Sequence, residues 1–305
     1  MQSEQLRTVG GTGALHQLVH KANPQACLIS GWSPLQPPES YVLEIDWSSA
    51  DSSFESGTDG LDVLLVAETV RQAGLLIPHI GFGVPRNWVY VMSSLEVEVF
   101  TELSGRAANN VGAQVECRDV IYRDSALQAL TVNLRFSAEH RDVAIGVGKL
   151  RVLPPDIYLR LRSNSISPAT FEAPTSATLQ SFDGSSAQYF LREADADITD
   201  DLLGGDLNGG TELRVDTRHP VYFDHPSDHI PGMVAIEACR QLVARDEGIR
   251  SPARMTALFH RYLEYDPHPV LRLDSHGSDL VVNIYQGEDD ILGPAATVTF
   301  ADHHP

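Results

Sequence analysis

From Phe223 to Gly248 the chain reads FDHPSDHIPGMVAIEACRQLVARDEG, a turn-forming stretch followed by a run that is apolar nearly all round. Met233, Val234, Ala235, Ile236, Ala238, Cys239, Leu242 and Val243 leave little polar face, so the pattern predicts a helix enclosed by other structure. Pro231 suits the first helical turn, where a missing N–H costs nothing, and Gly248 suits the residue just past the end. Into this apolar cylinder the sequence puts Glu237 and Arg240, three apart and on one face, with Gln241 beside them. On a wet edge such a pair contributes at most about 0.5 kcal/mol. When buried it rarely stabilises more than apolar residues of the same volume, so an enclosed pair points to chemistry.

The pattern occurs twice. LDVLLVAETVRQAG at 61–74 carries Glu68, Arg71 and Gln72 in the same E-x-x-R-Q spacing, and at that offset Phe54 falls on Phe223 and Asp59 on Asp228. Leu95-Glu96 aligns with Leu263-Glu264, and LTVN at 130–133 resembles LVVN at 280–283, before strands ending near Val152 and Val298. Two halves of about 150 residues read as a duplicated domain, since the period is too long for a solenoid repeat. Pro78 is expected to end or bend the first of the two helices.

Around each helix the pattern shortens to period two. After a proline break at Pro34, Pro37 and Pro38, YVLEIDW at 41–47 alternates as a half-buried strand does, and WVYVMSSLEVEVF at 88–100 sets Leu95, Val97 and Val99 against Glu96 and Glu98. GAQVECRDVIYRD, LQALTVNLRFSAEH and VAIGVGKLRVLP supply further strands; LFHRYLEY, VLRLDSH, DLVVNIYQ and AATVTF repeat the order in the second half. Strand, helix, then a series of antiparallel strands is an α+β order. Residues 1–17 read as a disordered lead, 18–153 as the first domain, 154–185 as a linker and 186–305 as the second domain, with a frayed C-terminal ADHHP.

A net charge of −19 argues against nucleic acid and acidic membrane surfaces as partners. No run approaches the roughly 20 apolar residues of a membrane span, and the polar N-terminus does not read as a signal peptide, so a cytoplasmic location is expected. The absence of a nucleotide-binding glycine motif leaves no cofactor expected. Three scattered cysteines make neither a disulfide framework nor a zinc site, and Cys239 beside Arg240 reads as packing rather than as a nucleophile. In K-L-R-V-L-P-P-D-I-Y-L-R-L-R the cations Lys149, Arg151, Arg160 and Arg162 are opposed only by Asp156 and read as solvated charges of a strand and linker. His219, Asp224, His225, Asp228 and His229 lack metal-ligand spacing; no metal is expected, and Asp228 and His229 read as the helix cap.

At DHPSDHIPGMVAIEACRQ and VAETVRQAG the sequence resembles the A-factor synthase family, the AfsA-type enzymes of γ-butyrolactone and butenolide autoregulator biosynthesis. The resemblance implies a tandem hot-dog fold, each half a long central helix wrapped by an antiparallel sheet. It also implies an acyltransferase that moves a β-ketoacyl group from an acyl carrier protein or coenzyme A thioester to the hydroxyl of dihydroxyacetone phosphate. Carried over by motif, the catalytic set is Glu237 and Arg240 in the second half and Glu68 and Arg71 in the first, with Gln72, Gln241, Asp228, His229 and Gly232 around the substrate. A carboxylate can take the proton of an attacking hydroxyl, and a guanidinium can stabilise an oxyanion or hold a phosphate. The complete D-H-x-P-G-M turn occurs only in the second half, which favours Glu237 and Arg240 for the chemistry and Glu68 and Arg71 for positioning substrate.

P-G-M-V-A-I-E also resembles the P-G-x-x-x-x-E motif of hot-dog dehydratases, but Phe223 stands where those enzymes place a catalytic His, which weakens that alternative. A thioesterase and a non-catalytic acyl-binding module are the other readings; intact E-x-x-R pairs in both halves disfavour the latter. Association of hot-dog domains through their sheets makes a homodimer the expected assembly.

Overall fold

The computed structural model describes residues 15–48, 50, 54, 61–100, 111–163, 191–193, 210–215, 217, 219, 221–276, 278–287 and 293–301. The chain divides into two compact units between Leu161 and Arg162.

In the first unit a helical turn, α1 (Leu15–Leu18), precedes strands β1 (Ile29–Gln36) and β2 (Ser40–Ile45), the long helix α2 (Val63–Phe82), and strands β3 (Val89–Val99), β4 (Val111–Arg123), β5 (Ala126–Ala138) and β6 (Arg141–Leu153). All pairings are antiparallel, in the order β1-β2-β4-β5-β6-β3. Helix α3 (Pro155–Arg162) follows, ending on the residue that opens the second unit. There the described elements are β7 (Leu191–Glu193), β8 (Thr211–Leu213), helix α4 (Gly232–Asp246), β9 (Arg254–Phe259), β10 (Val270–His276), β11 (Asp279–Tyr285) and β12 (Ala296–Ala301). They pair antiparallel in the order β7-β8-β10-β11-β12-β9. Element for element this is the order of the first unit, so the duplication read from the two helices extends to the strands.

Each sheet closes on its helix through alternate side chains. Val132, Leu134 and Phe136 of β5 and Val282 and Ile284 of β11 are buried, as are Val66, Val70 and Ala73 of α2 and Ile236, Cys239 and Val243 of α4. Burial also pushes the Cys239 thiol well above its ordinary range, which leaves it a packing residue. Where α2 crosses β6 the strand carries Gly146 and Gly148, and a Cβ at Gly146 would collide with Val70.

Several expectations change here. Helix α2 runs through Pro78 instead of stopping at it. Proline removes one helical hydrogen bond, but 14 residues of α2 including Pro78 are buried, and that packing holds the last turn as far as Gly83, whose φ of 67° forms the C-cap. With those residues included, α2 has the length and mean hydropathy of a membrane span, yet 78% of that window is buried inside the protein. Pro34 does not break β1, which continues to Gln36 with a register shift between the two. Leu95 lies within β3, whereas Leu263 lies beyond β9, so the loop after β9 shifts that part of the repeat. Helix α3 occupies the opening of the stretch read as a linker; residues 164–185 of it, like residues 1–14 of the lead, lie outside the described residues.

Candidate active site

Helix α4 presents Glu237 and Arg240 into the interior: the residues are 4% and 8% exposed, so they do not form a surface pair. The contact is bidentate, with Arg240 Nε donating to Glu237 Oε2 and Nη2 to Oε1, both at 2.8 Å. Gln241, one turn on, donates Nε2 to the same Oε1 at 2.7 Å. The i, i+3 and i, i+4 spacing builds this set from a single helix, and Arg240 Nη1 also donates to the Arg250 carbonyl beyond the helix at 3.4 Å. Gln241 Oε1 is buried and has no hydrogen-bond partner among the described residues.

Helix α2 repeats the set. Arg71 Nε and Nη2 donate to Glu68 Oε2 and Oε1 at 2.7 and 2.8 Å, and Gln72 Nε2 donates to Glu68 Oε1 at 2.9 Å. Here the surroundings close around it. Lys21 adds a second cation 3.3 Å from Glu68 Oε1, the Gln72 amide also donates to the Ala26 carbonyl at 2.8 Å, and Gln72 Oε1 accepts from Leu28 N at 2.8 Å. Burial alone would raise the Glu68 carboxyl, but the charges of Arg71 and Lys21 and the hydrogen bonds from Arg71 and Gln72 outweigh it and hold the group well below the usual carboxylate range. The two copies therefore share a core and differ in how many groups surround it.

Asp228 and His229 do not cap α4. Its N-cap is Pro231, with no side-chain cap bond, because the turn directs both side chains elsewhere. Asp228 Oδ1 meets His229 Nδ1 at 2.7 Å, and Asp228 also receives Arg162, through Nε on Oδ2 at 3.4 Å and Nη2 on its backbone oxygen at 2.9 Å. Arg162 is only 1% exposed, against the expectation of a solvated charge; Glu264 binds it through both carboxylate oxygens and the Tyr262 ring lies 4.4 Å from its Cζ. Gly232 begins α4 against β9, where a Cβ would come within 2.9 Å of Phe259 Cζ. Its smallness thus serves packing at the helix start.

Lys21 and Arg162 were not singled out by sequence reasoning as site residues. Neither carries a periodic signal: Lys21 lies in a short loop, and Arg162 is buried while its neighbours Leu159 and Leu161 are 62% and 57% exposed, the reverse of their polarity.

One long, enclosed helix per unit, wrapped by an antiparallel sheet and carrying a buried carboxylate–guanidinium pair, defines a tandem hot-dog protein with the polar set of an acyl-group enzyme. The chain belongs to the A-factor biosynthesis hotdog domain family, whose model matches residues 12–154 and 194–246. It is similar to two proteins named 2-oxo-3-(phosphooxy)propyl 3-oxoalkanoate synthase. The one from Streptomyces griseus is 31% identical over 82% of this chain and 81% of the relative. The one from Streptomyces virginiae is 30% identical over 82% and 83%. Among solved structures, HtdX of Mycobacterium tuberculosis matches with a TM-score of 0.46 and 12% identity, covering 86% of this chain and all of that one.

Proposed function

We propose that this chain is an acyltransferase that joins a 3-oxoacyl group to the hydroxyl of dihydroxyacetone phosphate, giving the 2-oxo-3-(phosphooxy)propyl ester from which a butenolide-type autoregulator can be built. The observation that carries the reading is the buried Glu237–Arg240 pair, with Gln241 bonded to it, in a member of a family whose relatives are named for that product. The donor is a thioester of acyl carrier protein or coenzyme A. The hydroxyl oxygen adds to the thioester carbonyl, the C–S bond breaks, and the hydroxyl proton ends on sulfur. Glu237 already accepts two donors on Oε1 and one on Oε2, which leaves a lone pair on Oε2 to receive the attacking hydroxyl. Arg240 supplies positive charge for the oxyanion that develops, or for the phosphate.

The test is product mass from a 3-oxoacyl thioester and dihydroxyacetone phosphate, with Glu237→Ala and Arg240→Ala compared with the parent. Each variant should lose roughly 100-fold or more in kcat, the scale of removing a charge-stabilising group. Full activity in folded Glu237→Ala protein would refute the assignment.

A further inference from the structure

The turn that leads into α4 holds two imidazoles that the reaction above leaves unused. Asp224 adjoins His225 and Asp228 adjoins His229, and in each pair the ring Nδ1 meets the carboxylate of the residue before it, at 2.6 and 2.7 Å. A carboxylate on Nδ1 fixes the ring orientation and makes Nε2 the lone-pair nitrogen of the neutral ring. Neither Nε2 engages a partner among the described residues. Both rings reach solvent, the His225 side chain with 50% and the His229 side chain with 29% exposure.

The carboxylates are held from behind. The Asp224 side chain is 3% exposed. Asp228 is gripped by the buried Arg162, whose guanidinium is itself anchored by Glu264. The Tyr262 ring that receives Arg162 also meets the His229 ring edge-on, with centroids 4.9 Å apart. Ser227 Oγ donates to the His229 carbonyl at 2.7 Å, Tyr265 donates to the Ser227 carbonyl at 3.2 Å, and Ile230 N donates to the Leu263 carbonyl at 2.7 Å. Bringing a guanidinium fully inside is unfavourable unless it is well paired, and here the pairing fixes a partly exposed Asp–His pair. The corresponding stretch of the first half, FESGTDGLD, contains no histidine.

The Cα–Cβ bonds of a helix tilt toward its N-terminus, so that of Glu237 tilts toward the end of α4 that this turn occupies. We propose that the D-H-P-S-D-H turn is the proton-transfer element of the acyl transfer, an inference that rests on the function proposed above. Nε2 of an Asp-oriented imidazole takes the proton of the attacking hydroxyl as the C–O bond forms, then gives it to the departing sulfur as the C–S bond breaks. Glu237 orients the hydroxyl, Arg240 stabilises the oxyanion, and Asp224, Asp228 and Arg162 are positioning residues.

Acceptor-dependent transfer by His225→Gly, His229→Gly and the double variant, with and without added imidazole, tests this. The loss of a general base predicts a fall in kcat of roughly 100-fold or more in one single variant. KM for both substrates should stay within about 3-fold, and imidazole should restore part of kcat, which also identifies the working ring. Asp→Asn beside that ring should lower kcat without imidazole rescue, and Asp→Glu should recover part of it. Where glycine lowers Tm, His→Gln at the same position gives the kcat comparison in folded protein. A folded double variant within about 3-fold of the parent kcat, or a loss confined to KM that imidazole does not relieve, would overturn the inference while leaving the acyl-transfer reading in place. A parent protein that makes no ester would overturn both.

Discussion

Glu68 and Glu237 stand at matching points of the two helices, yet their side chains are in different situations. Glu68 is enclosed by Arg71, Lys21 and Gln72, and Gln72 in turn grips the backbone at Ala26 and Leu28, so the first set fastens residues 21–28 onto α2. Glu237 has no second cation among the described residues. Removing one partner from a buried charge network costs about 3–5 kcal/mol. Glu68→Gln should therefore lower Tm by several degrees, and Lys21→Met should do the same on a smaller scale. The Glu68 effect carries a pH signature. Its folded-state pKa is depressed, so the stabilisation is complete above the ordinary glutamate range and is lost as pH falls below that range toward the folded value. The Tm difference between parent and Glu68→Gln should hold at neutral pH and shrink as the pH is taken below about 4. A difference that grows in acid would contradict the tie. The Glu, Arg and Gln of each set were legible in the sequence because one helix fixes their spacing, whereas Lys21 and Arg162 reach their partners through tertiary contacts that no local pattern records.

At the scale of elements, the two helices and most strands follow from periodicity, and the misses have physical causes. Pro78 breaks a helix rule that burial of the surrounding turn overrides. Residue type alone makes Asp228 and His229 caps for α4, but their side chains are taken by each other and by Arg162. The tight crossing of α2 over β6 gives a direct check. Gly146→Ala places a methyl against Val70, and overpacking of this kind costs about 1–3 kcal/mol. Thermal unfolding should show the loss, and Val70→Ala added to Gly146→Ala should recover part of it. An additive double variant would show that the crossing is looser than described.

For the molecule as a whole, duplication was visible in the paired E-x-x-R-Q helices, and the matching strand orders of the two units extend it to the sheets. The sequence alone did not distinguish the copies by environment, since Lys21 and the backbone around Gln72 appear beside Glu68 only in the folded unit. A chain of net charge −19 must hold an anionic acceptor through local cations, and such charge coincides with a buried carboxylate at Arg240 beside Glu237 and at Arg71 and Lys21 beside Glu68. The central claim is that the second reactant is the phosphorylated alcohol rather than water. Thiol release from a 3-oxoacyl thioester, followed with and without dihydroxyacetone phosphate, tests it most directly. Acyl transfer predicts release that depends on the acceptor and matches ester formed one for one; release at the same rate without the acceptor would make the protein a thioesterase and contradict the claim.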